Sequence, residues 1–241
     1  MKVYWVEQIE ADLPAENDWL SANEAACLNA MRFPKRRADW RLGRWTAKCA
    51  LSITLDTPAN PQVFKQIAIR PAPSGAPEAF FASQPAAVTI SLSHRDGRAI
   101  CAVTMSGVEM GCDLEMVEPR SDAFVADYFA MEEQALVARA SAPDRDRLLA
   151  LLWSAKESTL KALHAGLRLD TRSVIVNPGN AAFDSHGWSP MDVRHTEGRI
   201  FRGWWQHADG IVRTVVAAPP PDRPIPLRVP VYVPDGASLC T

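Results

Sequence analysis

The chain has 241 residues, of which 47% are hydrophobic and 22% charged, and its net charge is −2. This composition indicates a globular protein of one large or two small domains, without a general electrostatic attraction for nucleic acid. The odd number of cysteines, five, without a Cys-x-x-Cys pair argues against a disulfide framework or a zinc site and predicts buried, reduced thiols.

Apolar periodicity predicts alternating strands and helices in the first half of the chain. The turn-rich break at 71–77 contains a glycine that allows close backbone approach to a ligand. The predicted strands are 3–9, 62–70, 87–94 and 97–105, and the predicted helices are 14–30 and 36–53.

The second half repeats this mixture, so we expect an α+β fold. The predicted elements are a strand over 108–117, helices over 121–140 and 144–163, a strand over 172–178, and a hairpin over 201–217 that turns at 208–210. The predicted domains are an N-terminal half (1–106), a C-terminal half (107–218) and a Pro-rich tail (219–241). No letter-by-letter internal repeat is apparent. No window reaches the roughly 18 apolar residues of a membrane span, and no signal-peptide core is present, so we expect a cytoplasmic protein.

Positive charge is concentrated between Arg32 and Lys48. This segment holds five arginines and two lysines against one acid, Asp39, in a chain that is slightly negative overall. Such a block is a candidate anion site, and it is equally typical of a solvated helix face.

The sequence Gly-Cys-Asp-Leu-Glu at 111–115 lies in a predicted strand. Residues two apart in a strand face the same way, so Asp113 and Glu115 present two carboxylates together. Like charges this close repel, and Mg²⁺ is a natural cation to lie between them. The motif alone is weak, because most such pairs are exposed acids on an edge strand.

The segment Trp153–Leu163 reads Trp-Ser-Ala-Lys-Glu-Ser-Thr-Leu-Lys-Ala-Leu. Ser154 and Glu157 match a helix capping box, although the apolar pattern begins upstream of Ser154. In a continuous helix, Glu157 and Lys161 lie one turn apart on one face, with Lys156 on the adjacent face. The group is either a third metal ligand flanked by phosphate-binding lysines or a surface ion pair of little energetic value.

Ser93 and His94 end a predicted strand just before a turn, where both side chains can donate hydrogen bonds to a phosphate. A lone histidine is more often a local hydrogen-bond partner. No Gly-x-Ser-x-Gly, P-loop or Gly-x-Gly-x-x-Gly motif is present, which argues against a serine hydrolase of that type, a P-loop nucleotide-binding fold and a dinucleotide-binding fold.

Five features, taken in chain order, resemble the Sfp-type 4′-phosphopantetheinyl transferases. They are the basic segment with Leu-Gly-Arg-Trp, the turn Ser-Gly-Ala-Pro, Ser-Leu-Ser-His, Gly-Cys-Asp-Leu-Glu and Trp-Ser-Ala-Lys-Glu. The likeness covers about residues 32–169. It implies two similar α/β halves (a pseudo-twofold fold) with the active site in the cleft between them. It also implies an enzyme that transfers the 4′-phosphopantetheine group from coenzyme A to a serine of an apo acyl or peptidyl carrier protein. Two fused halves suggest a monomer, and from charge and hydropathy we expect no nucleic-acid or membrane partner.

The resemblance also assigns roles by position. It implies Mg²⁺ ligands at Asp113, Glu115 and Glu157, and catalytic groups at Glu157, Lys156 and Lys161, with Glu157 as a candidate base. It leaves the role of Glu133 open. The implied coenzyme-binding residues are Lys35, Arg36, Arg37, Arg44, Ser74, Gly75, Ser93 and His94.

Ala76 departs from the pattern, because the family commonly has a lysine between the glycine and the proline of this turn. The basic segment 32–48 must then supply the missing charge, or affinity falls. Cys112 replaces the usual aliphatic residue, and we expect it only to pack. Two alternatives stay open: a non-catalytic module that binds coenzyme A or a carrier, and a Mg²⁺-dependent nucleotide phosphohydrolase.

Overall fold

The computed structural model describes residues 1–179, 187–229 and Tyr232. The chain divides into two units, each with helices packed on antiparallel strands, which confirms the predicted α+β class. The N-terminal unit consists of Tyr4–Ser106 together with the chain from Pro226, and the C-terminal unit consists of Met1–Val3 with Gly107–Ile225.

The N-terminal unit is built around one long helix. Its helices are α1 (Ala22–Ala30), α2 (Pro34–Thr54) and α3 (Pro61–Gln66), and its strands are β1 (Tyr4–Ile9), β2 (Ile67–Pro71), β3 (Pro77–Phe81), β4 (Gln84–Pro85), β5 (Val88–Arg95) and β6 (Arg98–Met105). β1, β6 and β5 lie in that order in one antiparallel sheet, and β2, β3 and β4 form a second. Trp45 of α2 anchors the core, with its ring centroid 5.2 Å from those of Trp19 and Phe64.

The C-terminal unit has a five-stranded antiparallel sheet covered by a second long helix. Its strands are β7 (Glu109–Met116), β8 (Val174–Asn177), β9 (Ser189–His195), β10 (Ile200–Ala208) and β11 (Ile211–Ala218), in the sheet order β7-β11-β10-β9-β8, and its helices are α4 (Asp122–Tyr128), α5 (Met131–Arg139) and α6 (Ala142–Ala162). The leucines of α6 pack in one apolar core with Phe201, Val212 and Val216. The division between the units falls within the short strand β12 (Ile225–Pro226).

Several predicted elements differ from the observed ones. The strand predicted over 62–70 is wrong for its first five residues, which belong to α3. Asn60 caps that helix by accepting from the Val63 amide at 3.0 Å, and Pro61 occupies its first turn. This capping chemistry outweighs the apolar alternation that favoured a strand. The helix predicted over 14–30 begins only at Ala22, where the Ser21 hydroxyl caps it.

The helix predicted over 121–140 is two helices, α4 and α5, and the predictions missed β3, β4 and β9. The described residues do not include 180–186, 230, 231 and 233–241. Cys240 and most of the last part of the predicted Pro-rich tail therefore lie outside them. Cys49, Cys101 and Cys112 are buried free thiols, as expected, whereas Cys27 is exposed. No helix of the described residues is both long and apolar enough to cross a bilayer.

The two units repeat a common plan, and the sequence carries traces of it that were overlooked. α2 and α6 each have 21 residues, and Trp-Thr-Ala-Lys at 45–48 and Trp-Ser-Ala-Lys at 153–156 occupy the same positions along them. The hairpins β5–β6 and β10–β11 both turn on His-x-Asp-Gly, at 94–97 and 207–210. The aspartate and glycine of each turn have positive φ, as a tight two-residue hairpin turn requires. Each of these matches covers four residues and differs at one of them, so the common plan is visible in the elements more than in the letters of the sequence.

Candidate active site

Asp113 and Glu115 lie on the same face of β7, because side chains two residues apart in a strand point the same way. Both are buried, with 4% and 8% of their surface exposed. β7 pairs with β11, where Asp113 lies opposite Thr214. Buried carboxylates lose their hydration, so the surrounding residues must supply positive charge or hydrogen-bond donors.

Gly111 lets α6 approach β7 with no side chain between them. A Cβ atom at residue 111 would lie 1.8 Å from the Ser158 carbonyl oxygen and 2.9 Å from the Ala162 nitrogen. Only glycine allows this separation, which explains the glycine of the Gly-x-Asp-x-Glu motif by packing. The contact places the C-terminal half of α6, with Glu157 and Lys161, beside the strand that carries Asp113.

Three buried hydroxyl groups fix α6 on β11. The Oγ atoms of Ser154 and Ser158 lie 2.9 and 2.7 Å from Thr214 Oγ1, and all three residues are fully buried. Ser154 lies inside the continuous helix α6 and so is not the N-cap of a capping box. Its hydroxyl instead helps to set the position of the helix against the sheet.

Lys161 neutralises Asp113. Its ammonium donates to Asp113 Oδ1 at 2.7 Å and to the Cys112 carbonyl oxygen at 3.1 Å. The lysine side chain remains 29% exposed, so it reaches from the buried carboxylate toward solvent. The structure thus brings Asp113 and Lys161 into direct contact, although they lie far apart in the sequence.

The charges of this group are strongly coupled. Burial raises the pKa of Glu157, and the negative charge of Asp113 raises it further, against the opposing effect of Lys161. Burial lowers the pKa of Lys161, but its attraction to Asp113, with Cys112 and Glu157, outweighs burial, and the net pKa is raised. Two carboxylates that repel each other across a buried site form a site that favours a further cation.

Glu115 pairs with a residue that the sequence did not single out. Arg120 Nη2 lies 3.3 Å from Glu115 Oε2 and 3.0 Å from Glu118 Oε1. The Arg120 guanidinium also lies 5.0 Å from the ring centroid of Phe124. In the sequence, Arg120 is only a basic residue five positions after Glu115. That spacing does not reveal a contact unless the path of the intervening loop is known.

Lys156 is fully buried, unlike Lys161. Its ammonium donates to Glu133 Oε2 at 2.7 Å, to the Thr171 carbonyl oxygen at 2.9 Å and to the Val174 carbonyl oxygen. Burial lowers the pKa of Lys156 and raises the pKa of Glu133, while their mutual attraction opposes both shifts. The two lysines are five residues apart in α6, so they lie on faces about 140° apart.

The predicted coenzyme-binding residues of α2 differ in their surroundings. Lys35 and Arg36 are exposed, and Lys35 pairs with an aspartate one turn later at 3.2 Å. Arg37 donates to a carbonyl group of α1 at 2.7 Å. Arg44 lies 5.0 Å above a tryptophan ring, and burial lowers its pKa. The exposed start of α2 is therefore the part of the basic segment that is open to an anion.

The predicted turn residues Ser74 and Gly75 join β2 to β3. Gly75 has a φ of +91° and donates to the Ala72 carbonyl oxygen at 2.8 Å. The Ser74 hydroxyl accepts from the Ala76 amide at 3.3 Å. A Cβ at residue 75 would meet nothing within 4 Å, so the backbone conformation, and not lack of space, favours glycine here.

Ser93 and His94 both lie near the end of β5, opposite Ile100 and Ala99 of β6. As neighbours in a strand they point to opposite faces of the sheet. His94 is exposed and Ser93 is half-buried. These two residues therefore reach different surfaces of the N-terminal unit.

The predicted metal ligands do not form a closed protein cage. Within the described ranges, no group of three or more His, Cys, Asp or Glu side chains could hold a metal ion. Mg²⁺ does not need such a cage, because it commonly binds one or two carboxylates, with waters and substrate phosphates completing its coordination. The mutually repelling carboxylates of the buried Asp113 and the half-buried Glu157 fit that kind of site.

Carboxylates that can hold a metal ion, together with a lysine, are groups that can neutralise charge on phosphate. Residues 109–216, somewhat less than half of the chain, match the family model of the 4′-phosphopantetheinyl transferase superfamily. The match to this superfamily is confined to that segment, and it supports a phosphopantetheine transferase function. The matched segment contains Asp113, Glu115, Lys156, Glu157 and Lys161. No curated protein matches the chain.

Proposed function

We propose that the protein transfers the 4′-phosphopantetheine group of coenzyme A to a serine hydroxyl of an apo acyl or peptidyl carrier protein. The observation that carries the proposal is the contact of α6 with β7 at Gly111, which gathers Asp113, Glu157 and Lys161. We expect the protein to act in the cytoplasm as a monomer.

In this reaction the serine oxygen forms a bond to the β-phosphorus of coenzyme A, and the bond from that phosphorus to the bridging oxygen breaks. The leaving group is 3′,5′-ADP. Phosphoryl-type transfer depends mainly on alignment and charge neutralisation, so charged residues carry most of the work. The serine proton must pass to a base, and Glu157 is the candidate.

Asp113, Glu115 and Glu157 are the residues that would hold Mg²⁺. When bound, Mg²⁺ would neutralise charge on the pyrophosphate. Lys161 would contact phosphate once its ion pair with Asp113 opens, because its side chain is partly exposed. Glu115 is tied to Arg120, which orients its carboxylate.

The donor substrate would be bound by the N-terminal candidates. The proposed coenzyme-binding set comprises the exposed Lys35 and Arg36 together with Arg37, Arg44, Ser74, Gly75, Ser93 and His94. Ala76 offers no charge to a phosphate, so the basic start of α2 must contribute more. For the carrier we propose residues 122–142, where Tyr128, Leu136 and Met131 are 38%, 36% and 78% exposed.

The test is intact-protein mass spectrometry of several apo carriers incubated with the protein, coenzyme A and Mg²⁺. One added phosphopantetheine per carrier supports the proposal, and no mass gain on any carrier, with folded protein, would falsify it. Release of nucleotide or phosphate without a carrier would instead indicate a phosphohydrolase.

Glu157→Gln tests whether the protein is an enzyme or only a binding module. We expect transfer to fall by roughly 100-fold or more, the size typical of a lost general base, while coenzyme A binding largely survives. Glu197→Gln is the matched control, because the Glu197 side chain is 81% exposed and lies in the β9–β10 turn. If both variants transfer equally well, Glu157 is not part of the site.

A further inference from the structure

All three donor hydrogens of the Lys156 ammonium are used by the protein. A lysine has three such hydrogens and no acceptor, and this one contacts Glu133, the Thr171 carbonyl and the Val174 carbonyl. Its Nζ also lies 5.4 Å from the ring centroid of Phe129. With its side chain fully buried, Lys156 has neither a free donor nor an open path to a phosphate.

Glu133 joins three segments through the same contacts. It is the third residue of α5 and accepts from the Ala130 amide at 2.9 Å and from the Val176 amide at 3.0 Å. Together with Lys156 it therefore ties the start of α5 and strand β8 to one face of α6. The other face of that helix carries Lys161.

The N-terminal unit contains the same arrangement around Lys48. This lysine is also fully buried, and donates to Glu24 Oε2 at 2.6 Å and to the carbonyl oxygens of Phe64 and Trp19 at 2.7 and 3.3 Å. Glu24 is the third residue of α1, as Glu133 is of α5. Lys48 lies 5.7 Å from the Trp19 ring centroid. Each unit thus pairs a buried lysine with a glutamate, two carbonyl groups and an aromatic ring.

The two copies differ at the neighbouring positions. Lys48 and Lys156 are each the fifteenth residue of their helix, but Glu157 corresponds to Cys49, and Lys161 corresponds to Ile53. The Lys-Glu arrangement is therefore present in a unit whose helix lacks the acid and the lysine of the proposed site. Its presence there requires a role in the fold that does not depend on phosphate or metal.

We infer that Lys156 is a positioning residue, and that its ion pair with Glu133 fixes the rotation of α6 so that Glu157 and Lys161 face Asp113. On this inference Lys156 contacts no phosphate, which differs from the catalytic role that the resemblance implies. The inference rests on the proposed function of the same site. It assigns the phosphate contact on α6 to Lys161 alone.

The test compares three variants. Lys156→Met with Glu133→Gln removes the pair without leaving an unpaired charge, and Gln retains the capping geometry at the third helix position. Lys48→Met with Glu24→Gln is the matched control in the N-terminal unit. Lys161→Met reports the loss of a true phosphate contact. Coenzyme A affinity is measured by calorimetry in EDTA, and Mn²⁺ affinity by electron paramagnetic resonance.

We expect Lys161→Met to weaken coenzyme A binding by roughly 10-fold or more, the size of a charge-assisted hydrogen bond. The Lys156 double variant should change coenzyme A affinity by less than about threefold yet weaken Mn²⁺ binding by roughly 10-fold, because small displacements of ligands are costly. The Lys48 double variant should leave Mn²⁺ binding unchanged. If the Lys156 double variant weakens coenzyme A binding as much as Lys161→Met, or leaves Mn²⁺ binding intact, the inference is overturned.

A measurement on the unaltered protein tests the inference even if the variants fail to fold. Nitrogen-15 spectra of the lysine ammonium groups should show a slowly exchanging Lys156 signal that coenzyme A does not shift, whereas the Lys161 signal should shift. A coenzyme-dependent shift of Lys156 as large as that of Lys161 would refute the inference. A protein that binds coenzyme A and Mn²⁺ but modifies no carrier counts against the proposed function alone.

Discussion

Replacing Gly111 with alanine tests how the structure aligns the proposed site. The added Cβ would lie 1.8 Å from the Ser158 carbonyl oxygen, 2.8 Å from the Ser158 carbonyl carbon and 2.9 Å from the Ala162 nitrogen. Contacts under 3.0 Å are essentially never seen for Cβ atoms, so α6 must move away from β7 by more than about 1 Å. All three atoms belong to the backbone, so a rotamer change cannot relieve the overlap.

The expected cost in stability is about 3 kcal/mol, the upper end for overpacking, because both contacting segments are held in the core. The displacement also separates Asp113 from Glu157 and Lys161, and a shift of about 1 Å in a catalytic group can lower activity roughly 100-fold. Denaturant unfolding measures the first effect, and kcat/KM for transfer to a carrier measures the second.

Gly43→Ala is the matched stability control. Gly43 lies within helix α2, and a Cβ there would meet nothing within 4 Å. That substitution should stabilise the protein by roughly 0.5–1 kcal/mol through the higher helix propensity of alanine. A Gly111→Ala protein that unfolds within about 0.5 kcal/mol of the unaltered protein and keeps its activity would refute the packing argument. Ser158→Ala should not rescue Gly111→Ala, since the clash involves the Ser158 backbone.

Three further predictions follow from single contacts. Asp113→Ala should abolish Mg²⁺-dependent transfer in the mass assay while coenzyme A still binds, and unchanged activity would remove Asp113 from the site. Thr214→Val should destabilise the protein by about 1–3 kcal/mol, because it leaves two buried serine hydroxyls without their shared partner; an unchanged unfolding midpoint would contradict this. Burial raises the pKa of Cys49 to about 12 from 9.0, so the fold favours the protonated thiol. The resulting contribution to the free energy of unfolding is fully present below pH 9. As the pH rises toward 12, up to about 4 kcal/mol of stability is lost. Urea unfolding from pH 8 to 11 should show a smaller alkaline loss for Cys49→Ala than for the unaltered protein, and equal losses would refute the assignment.

The parts of the site that could be predicted are those with local signals. The alternation of Asp113 and Glu115 follows from strand periodicity, and the shared face of Glu157 and Lys161 follows from helical periodicity. Both signals act over a few residues. The contact between Lys161 and Asp113 joins residues 48 positions apart, so only the observed packing of α6 on β7 establishes it.

Buried charge was the hardest feature to predict. Lys48 contributes to a segment whose charge suggested a surface or an anion site, yet it is fully buried. Lys48 and its partner Glu24 are 24 residues apart, and such a separation gives no pattern in the sequence. Their pairing depends on how α1 packs against α2. The same reason explains why Arg120 and the role of Glu133 were not predicted.

The repeated helices also indicate where the chain can tolerate change. In saturation mutagenesis scored by carrier modification, positions 49 and 53 should accept many apolar residues, whereas positions 157 and 161 should accept almost none. At Lys48 and Lys156, however, substitutions should reduce the yield of folded protein to a similar degree. The N-terminal unit would thus offer an engineer two helix positions, 49 and 53, that can be redesigned without altering the proposed chemistry, provided that the buried lysine and the basic residues at the start of the helix are kept.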